Sequence, residues 1–317
     1  MIGLIASHPN LTLQWVSSRQ LAGQSLESAF GIESALVIED LPPSALTNRH
    51  TDIVVLALPN GISSSFVDAL ASNATVKLVI DLSADHRFDS TWRYTLPELT
   101  DDDALPLTSP CKGQQAILLS NPGCYATAMQ LALAPLLDVV TGTPVCFGVS
   151  GYSGAGTTPS QTNQRANLSE NLIPYKLVGH LHELEVSHKL EQKICFTPHV
   201  GEFFRGLSIT TYVELKHPMS QASLFRRFSD YYANQPLVHC QHGIPTVRQV
   251  VNTHSALIGG FEITANGQRA VIVSCLDNLL KGAASQAVQN INLALGLAMD
   301  TGLNAELADF RFITPTR

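Results

Sequence analysis

The stretch Ser120-Asn121-Pro122-Gly123-Cys124-Tyr125-Ala126-Thr127 separates two patterns in the chain and places a cysteine at the division. Before it, apolar runs alternate with helical segments, as in an α/β protein built on a parallel sheet. Leu11 to Val16, Ile53 to Leu58 and Leu78 to Leu82 read as buried parallel strands, each short, β-branched or leucine-rich, and closed by polar or turn residues. Ser63 to Ala71 reads as a helix between two of them. Past the cysteine the spacing lengthens. Pro144 to Val149, Ser208 to Leu215 and Ala270 to Cys275 are strand candidates with longer segments between them, which predicts an α+β second domain. A last helix, from about Lys281 to Met299, would carry Ala284, Val288, Ile291, Leu295 and Ala298 on one face.

The cysteine sits where reactivity is expected. Pro122 and Gly123 supply a tight turn, and the Ala/Leu-rich run Met129 to Leu137 continues from it as a helix. The free amides and positive dipole end of a helix stabilise thiolate, and the small Ala126 leaves room for a substrate carbonyl. The other five cysteines, Cys111, Cys146, Cys195, Cys240 and Cys275, read as buried small hydrophobes.

Composition narrows the classes. The 317 residues suffice for two domains with proper cores, and 45% hydrophobic with 14% charged residues is the make-up of a globular chain. Six cysteines without CxxC pairs suit a reducing compartment, and with neither an apolar run of membrane-spanning length nor a signal-peptide pattern, the expectation is a cytosolic protein. A net charge of -7 argues against a nucleic-acid partner, because neutralising phosphates needs a basic face. The expected partner is a small molecule.

A dinucleotide domain normally opens with a strand, a Gly-rich turn and a helix. No GxGxxG occurs here. Met1 to Pro9 reads instead as the tail of that helix, leading through Asn10 into the second strand. The expectation is therefore a shortened form of a chain with a strand, a Gly-rich turn and part of a helix more, on the order of 15–20 residues. Ser17-Ser18-Arg19 follows that strand, where the adenosine ribose lies in such domains. Hydroxyls and an arginine suit a 2′-phosphate, whereas an acidic residue would bind a free 2′-hydroxyl, so NADP is expected over NAD.

Taken together the motifs resemble those of the N-acetyl-gamma-glutamyl-phosphate reductase family, relatives of aspartate-semialdehyde dehydrogenase. The markers are Ser17-Ser18-Arg19, Leu58-Pro59-Asn60-Gly61, Asp81-Leu82-Ser83-Ala84-Asp85 with Arg87, Leu96-Pro97-Glu98-Leu99 and Asn121 to Tyr125. Ser150 to Gly156, Gly179-His180-Leu181-His182, Pro198-His199 with Arg205-Gly206, and Asp277 to Ala284 complete them, in order from His8 to about Asn292. The resemblance implies an α/β fold, with a Rossmann-type dinucleotide-binding domain (1–123 with 284–317) and an α+β catalytic and oligomerisation domain of the semialdehyde dehydrogenase type (124–283). It implies reduction of N-acetyl-L-glutamyl 5-phosphate to the semialdehyde by NADPH, with phosphate release, through a thioester on Cys124.

The remaining roles follow from the same resemblance and from the residues' chemistry. His182 is the candidate acid and base, since an imidazole titrates near neutrality. An HxH pair on an extended segment would turn His180 and His182 to one face, but the rest of a tetrahedral metal site is not evident and no metal is expected. The family pattern there is His-Arg-His followed two residues later by Pro-Glu. Glu185 takes the place of that glutamate, while Leu181 and Leu184 stand where arginine and proline are usual. Asn121, Ser153, Gly154, His180, Glu185 and Arg205 are the expected substrate residues, Ser153 to Gly156 as an anion nest and Arg205 as a bidentate partner. Ser18, Arg19, Pro59, Asn60, Gly61, Ser83, Asn278 and Lys281 are the expected cofactor residues. A homo-oligomer, dimer or tetramer, is expected. The alternatives are an acyl-phosphate reductase acting on aspartyl phosphate or a carrier-linked substrate, or a non-catalytic homologue that binds ligands.

Overall fold

The structure, a computed structural model, describes residues 1–100, 110, 115–156 and 160–303. The chain forms two compact units, one running Met1–Asn121 and resuming at Ala284, the other Pro122–Ala283. Cys111 lies outside the described residues.

The first unit holds a parallel sheet of β1 (Ile53–Leu56), β2 (Leu78–Asp81), β3 (Arg93–Tyr94) and β4 (Ile117–Ser120), in the order β1-β2-β4-β3. Both faces are covered, which is why β1, β2 and β4 are runs of apolar residues and not alternating ones. Val54, Leu56 and Val79 pack in one cluster with Leu70 of the helix Ser63–Ala71. Leu78, Ile80, Ile117 and Leu119 pack in another with Ala287, Ile291 and Ala294 of the helix Ser285–Ala294.

Three elements of this unit depart from the sequence reading or refine it. Ile2–Ala6 is helical, in keeping with the reading of Met1 to Pro9 as a helix. Leu11 to Val16 is not a strand: its residues alternate between partly buried and exposed as a strand's would, but only its end is paired, through Val16, Ser17 and Ser18 to Glu39. A period of two makes a segment extended, whereas a strand needs a ladder of partners beside it. The last helix stops at Ala294, not Met299, because Gly296 takes a φ of 70° and the Leu297 amide bonds back to the Asn292 carbonyl at 2.8 Å. Leu295 is consequently 45% exposed. The helix is also buried all round, with Gln286, Gln289, Asn290 and Asn292 inside together with its apolar residues.

The second unit is built on a mixed sheet of β5 (Val140–Gly151), β6 (Leu172–Pro174), β7 (Cys195–Gly201), β8 (Leu207–Leu215), β9 (Val238–Cys240), β10 (Ala256–Ile263) and β11 (Arg269–Leu276). The order is β6-β7-β5-β8-β11-β10-β9, with β5 parallel to β7 and antiparallel to β8. The helix Cys124–Leu133 lies against β8 and β11, and its residues from Tyr125 onward are all buried. β5 and β8 alternate, their outward residues including the exposed Val145 and Phe147. That alternation also corrects one cysteine: Cys146 and Cys275 are buried as expected, Cys240 is half-buried, but Cys195 at the head of β7 is exposed.

Candidate active site

Cys124 is the first residue of its helix, capped by Gly123 in extended conformation. The turn before it is held from a distant element: Glu185 is buried, and its Oε1 accepts the Gly123 amide at 2.9 Å. Glu185 belongs to the helix Leu181–Lys189, whose N-cap is His180. The His180-Leu181-His182 segment is thus a helix start and not the extended stretch the sequence suggests. The His180 Nδ1 accepts the His182 amide at 3.1 Å, a capping bond that outweighs the strand-like spacing. The rings still come together, 5.0 Å between centroids, and that of His182 stands edge-on to Tyr125 at 6.0 Å. The head of the Cys124 helix thus meets the helix that carries His182 and Glu185, through Gly123 on Glu185 and Tyr125 edge-on to His182.

Burial lowers the His180 imidazole to about 4, with nearby Lys176 adding to the effect and Glu183 opposing it. His180 is therefore a neutral cap near pH 7. Tyr125 and Tyr175 are both raised above the ordinary tyrosine range, chiefly by burial, and so remain phenols beside the cysteine. Tyr125 donates to the His199 carbonyl at 2.8 Å. Neither tyrosine had a role in the sequence reading. Tyr125 was signalled only by adjacency to Cys124, and Tyr175 by nothing local.

Other expected substrate residues are engaged within the fold. Arg205 is buried, its Nε 2.7 Å from Asp277 Oδ2 and its Nη2 donating to Asp277 Oδ1 at 2.9 Å, so the carboxylate it meets is in its own chain. Asp277 further accepts the amides of Asn252 and Leu279. Ser153 and Gly154 lie in a 3₁₀ turn, Tyr152–Ala155, and the amides of Tyr152 and Ser153 donate to the carbonyls of Phe203 and Phe204. The anion nest expected from Ser153 onward is reduced accordingly, because pairing with the loop before β8 uses one of its amides. Of the expected cofactor residues, Asn278 accepts the Gly206 amide and donates to Ser153 Oγ, and Lys281 is fully buried in a π-helical turn, Leu280–Ala284.

The expected cofactor residues of the first unit lie where its parallel strands end. Pro59, Asn60 and Gly61 follow β1 and are exposed; Ser83 follows β2 and is buried. The two turns are laced together: Ala84 donates to Asn60 Oδ1, while Gly61 and Ser63 donate to the Asp85 carboxylate. Those bonds outweigh burial and hold Asp85 below the usual carboxylate range. Asp81, fully buried at the end of β2, accepts from Ser83 and lies 2.6 Å from His86 Nδ1, whose ring stacks on Trp92 at 4.1 Å. Asn121 is buried, its Oδ1 accepting from Asn290 and its carbonyl from Arg87. Arg19 is exposed beside the half-buried Ser18. Turns beyond the carboxyl ends of parallel strands are where an anionic dinucleotide is held in such sheets, and an exposed guanidinium with a neighbouring hydroxyl is a donor set that suits its phosphates.

Two family models match the chain: "Semialdehyde dehydrogenase, NAD binding domain" over residues 1–105 and "Semialdehyde dehydrogenase, dimerisation domain" over 124–278. N-acetyl-gamma-glutamyl-phosphate reductase of Xanthomonas campestris is 48% identical over 297 residues, covering 93% of this chain and 91% of that protein. The chain belongs to the N-acetyl-gamma-glutamyl-phosphate reductase family. The reductase of the same name from Stenotrophomonas maltophilia is 47% identical, covering 94% and 91%. Among solved structures, aspartate semialdehyde dehydrogenase II of Vibrio cholerae superposes with a TM-score of 0.72 at 16% identity, covering 93% of this chain and 94% of that one, which establishes a shared fold. Cys124 falls within the range matched as the dimerisation domain, and the β1 and β2 turns within that matched as NAD-binding.

Proposed function

We propose that this chain reduces N-acetyl-L-glutamyl 5-phosphate to N-acetyl-L-glutamate 5-semialdehyde, releasing phosphate, with NADPH as reductant. The observation that carries this is a half-buried thiol at the first position of a helix, met by the helix that carries His182 and Glu185, in a chain 48% identical to a reductase of that name. An acyl phosphate is already activated, so a thiolate displaces phosphate without further assistance. Cys124 Sγ bonds to the acyl carbon as the carbon–oxygen bond to phosphate breaks, leaving a thioester. Pro59, Asn60, Gly61 and Ser83 would hold NADPH, which would supply the hydride that reduces the thioester. Hydride addition leaves an oxyanion, to which His182 gives a proton; His182 takes that proton back as the carbon–sulfur bond breaks, freeing aldehyde and thiolate. Glu185 holds the turn that presents the thiol, and Arg19 with Ser18 meets the 2′-phosphate. The dependence on a thiol separates this reading from a ligand-binding homologue, and the identity to N-acetyl-gamma-glutamyl-phosphate reductases favours it over an aspartyl or carrier-linked substrate.

The test runs the reaction in reverse, with aldehyde, NADP and phosphate, following absorbance of NADPH. N-acetyl-glutamate semialdehyde should turn over, aspartate semialdehyde should do so far less, and Cys124→Ser should abolish both while NADPH binding persists. Turnover by Cys124→Ser would overturn the reading. The working form is a homo-oligomer joined through the outward face of the seven-stranded sheet, where Val145 and Phe147 lie exposed. Light scattering should give a mass above that of one chain, and Phe147→Asp should lower it.

A further inference from the structure

The backbone at Gly282 stands directly against the nucleophile. A Cβ placed there would lie 2.6 Å from Cys124 Cβ and 3.1 Å from Cys124 Cα, and also 3.1 Å from Leu276 Cδ1. Carbon atoms do not approach to 2.6 Å, and the first two collisions are with rigid atoms at the head of a helix, which cannot rotate out of the way as the tip of a long side chain can. Gly282 has no positive φ, so the glycine is required by this approach and not by its own conformation.

The segment that brings Gly282 there is over-determined. Its amide bonds to the Asp277 carbonyl at 2.9 Å, five residues back, closing the π-helical turn. The Asp277 side chain, fully buried, accepts the amides of Leu279 and Leu280 on one oxygen and that of Asn252 on the other, while pairing with Arg205. A turn fixed at its start by that many bonds cannot yield to a new methyl group at its end. On the far side of the contact, Glu185 holds Gly123. Cys124 is therefore pinned from two directions, by a carboxylate on its turn and by bare backbone on its flank.

We propose that Gly282 is a positioning residue for Cys124: the absence of a side chain at 282, on a turn anchored by Asp277, sets where the thiol stands. This rests on Cys124 being the nucleophile, and the readouts are chosen so that the two ideas fail separately. In the 317-residue chain, Gly282→Ala should displace the head of the Cys124 helix. A misplacement near 1 Å costs on the order of 10²-fold in rate, so kcat for the reverse reaction should fall by about that factor, with KM for NADP within about twofold. Alkylation of Cys124 by iodoacetamide at fixed pH, read by mass spectrometry, should change rate by at least about tenfold, a readout that needs no substrate.

A thermal cycle with Cys124→Gly tests the contact itself and remains usable if Gly282→Ala alone is unstable. Removing the Cys124 Cβ removes the closest collision, so the loss of melting temperature caused by Gly282→Ala should shrink by at least about half in the Cys124→Gly background. An equal loss in both backgrounds overturns the proposal, as does Gly282→Ala with unchanged kcat and unchanged alkylation. Turnover by Cys124→Ser would instead sink the nucleophile assignment and leave the contact, as measured by the thermal cycle, standing.

Discussion

The surroundings of Cys124 and the turn that follows β1 treat their polar groups differently. Around Cys124 the charged and amide side chains are buried and engaged within the unit: Glu185 with Gly123, Arg205 with Asp277, Asn278 with Gly206 and Ser153. At the ends of the first unit's strands, Arg19, Pro59, Asn60 and Gly61 are exposed, and the carboxylate that steadies the turn, Asp85, comes from the neighbouring turn. A covalent step needs a nucleophile held within a fraction of an ångström, so its surroundings are fixed before substrate arrives. A dinucleotide is held by many separate contacts along its length, and each can be weaker and more open to water.

This contrast predicts that substitutions around Cys124 damage stability and rate together, while those at Arg19 and the turn after β1 change affinity alone. The largest effect should come from Arg205→Ala, which strips a buried carboxylate of its cation. Because the amides of Asn252, Leu279 and Leu280 continue to bond Asp277, the loss should be about 3 kcal/mol, at the lower end for broken buried pairs. Urea denaturation measures it, and a change within error would show that the pair contributes nothing. Glu185→Ala comes next: it removes the acceptor of a buried amide, costing about 1–3 kcal/mol, and should lower kcat as the turn before Cys124 loosens. Glu185→Gln keeps an oxygen for Gly123 and should retain most of the stability. If Gln and Ala behave alike, the hydrogen bond is not what Glu185 contributes.

Arg19→Ala should leave the melting curve alone and weaken NADPH by about tenfold, near the lower limit for a charged hydrogen bond, with NADH unaffected. Equal weakening of both cofactors would show that Arg19 does not meet the 2′-phosphate. The effect that is smallest at neutral pH, and shows only on acidification, belongs to His180. His180 titrates near 4 in the folded chain against an ordinary value of 6.5. Between those values the unfolded chain binds a proton that the folded chain refuses, so stability falls as pH drops from about 6.5 toward 4. Asn at 180 can still cap the helix and does not titrate. His180→Asn should therefore flatten stability over that window and leave it little changed at pH 7 and above.

Much of this protein was legible because it is local. A cysteine after Pro122-Gly123 and before an Ala/Leu-rich run must open a helix, since turn chemistry and helix propensity act over a few residues. The runs at Ile53 and Leu78 must be buried strands, because nothing else conceals that many adjacent β-branched side chains between helices. Leu11 to Val16 marks the limit of such reading: its alternation is a property of the segment, but being a strand is a property of its neighbours. The same limit applies at the site. Turn chemistry named Cys124, and the family resemblance named His182 and Glu185, yet nothing within reach of Gly123 along the chain says that a carboxylate 62 residues away takes its amide. Nor could the sequence say that Arg205, 72 residues before Asp277, would turn inward to it, or that Gly282 lacks a side chain because Cys124 occupies the space. Those are decisions of packing. They depend on which surfaces meet once the sheet of the second unit has assembled, and a chain read one neighbourhood at a time does not contain them.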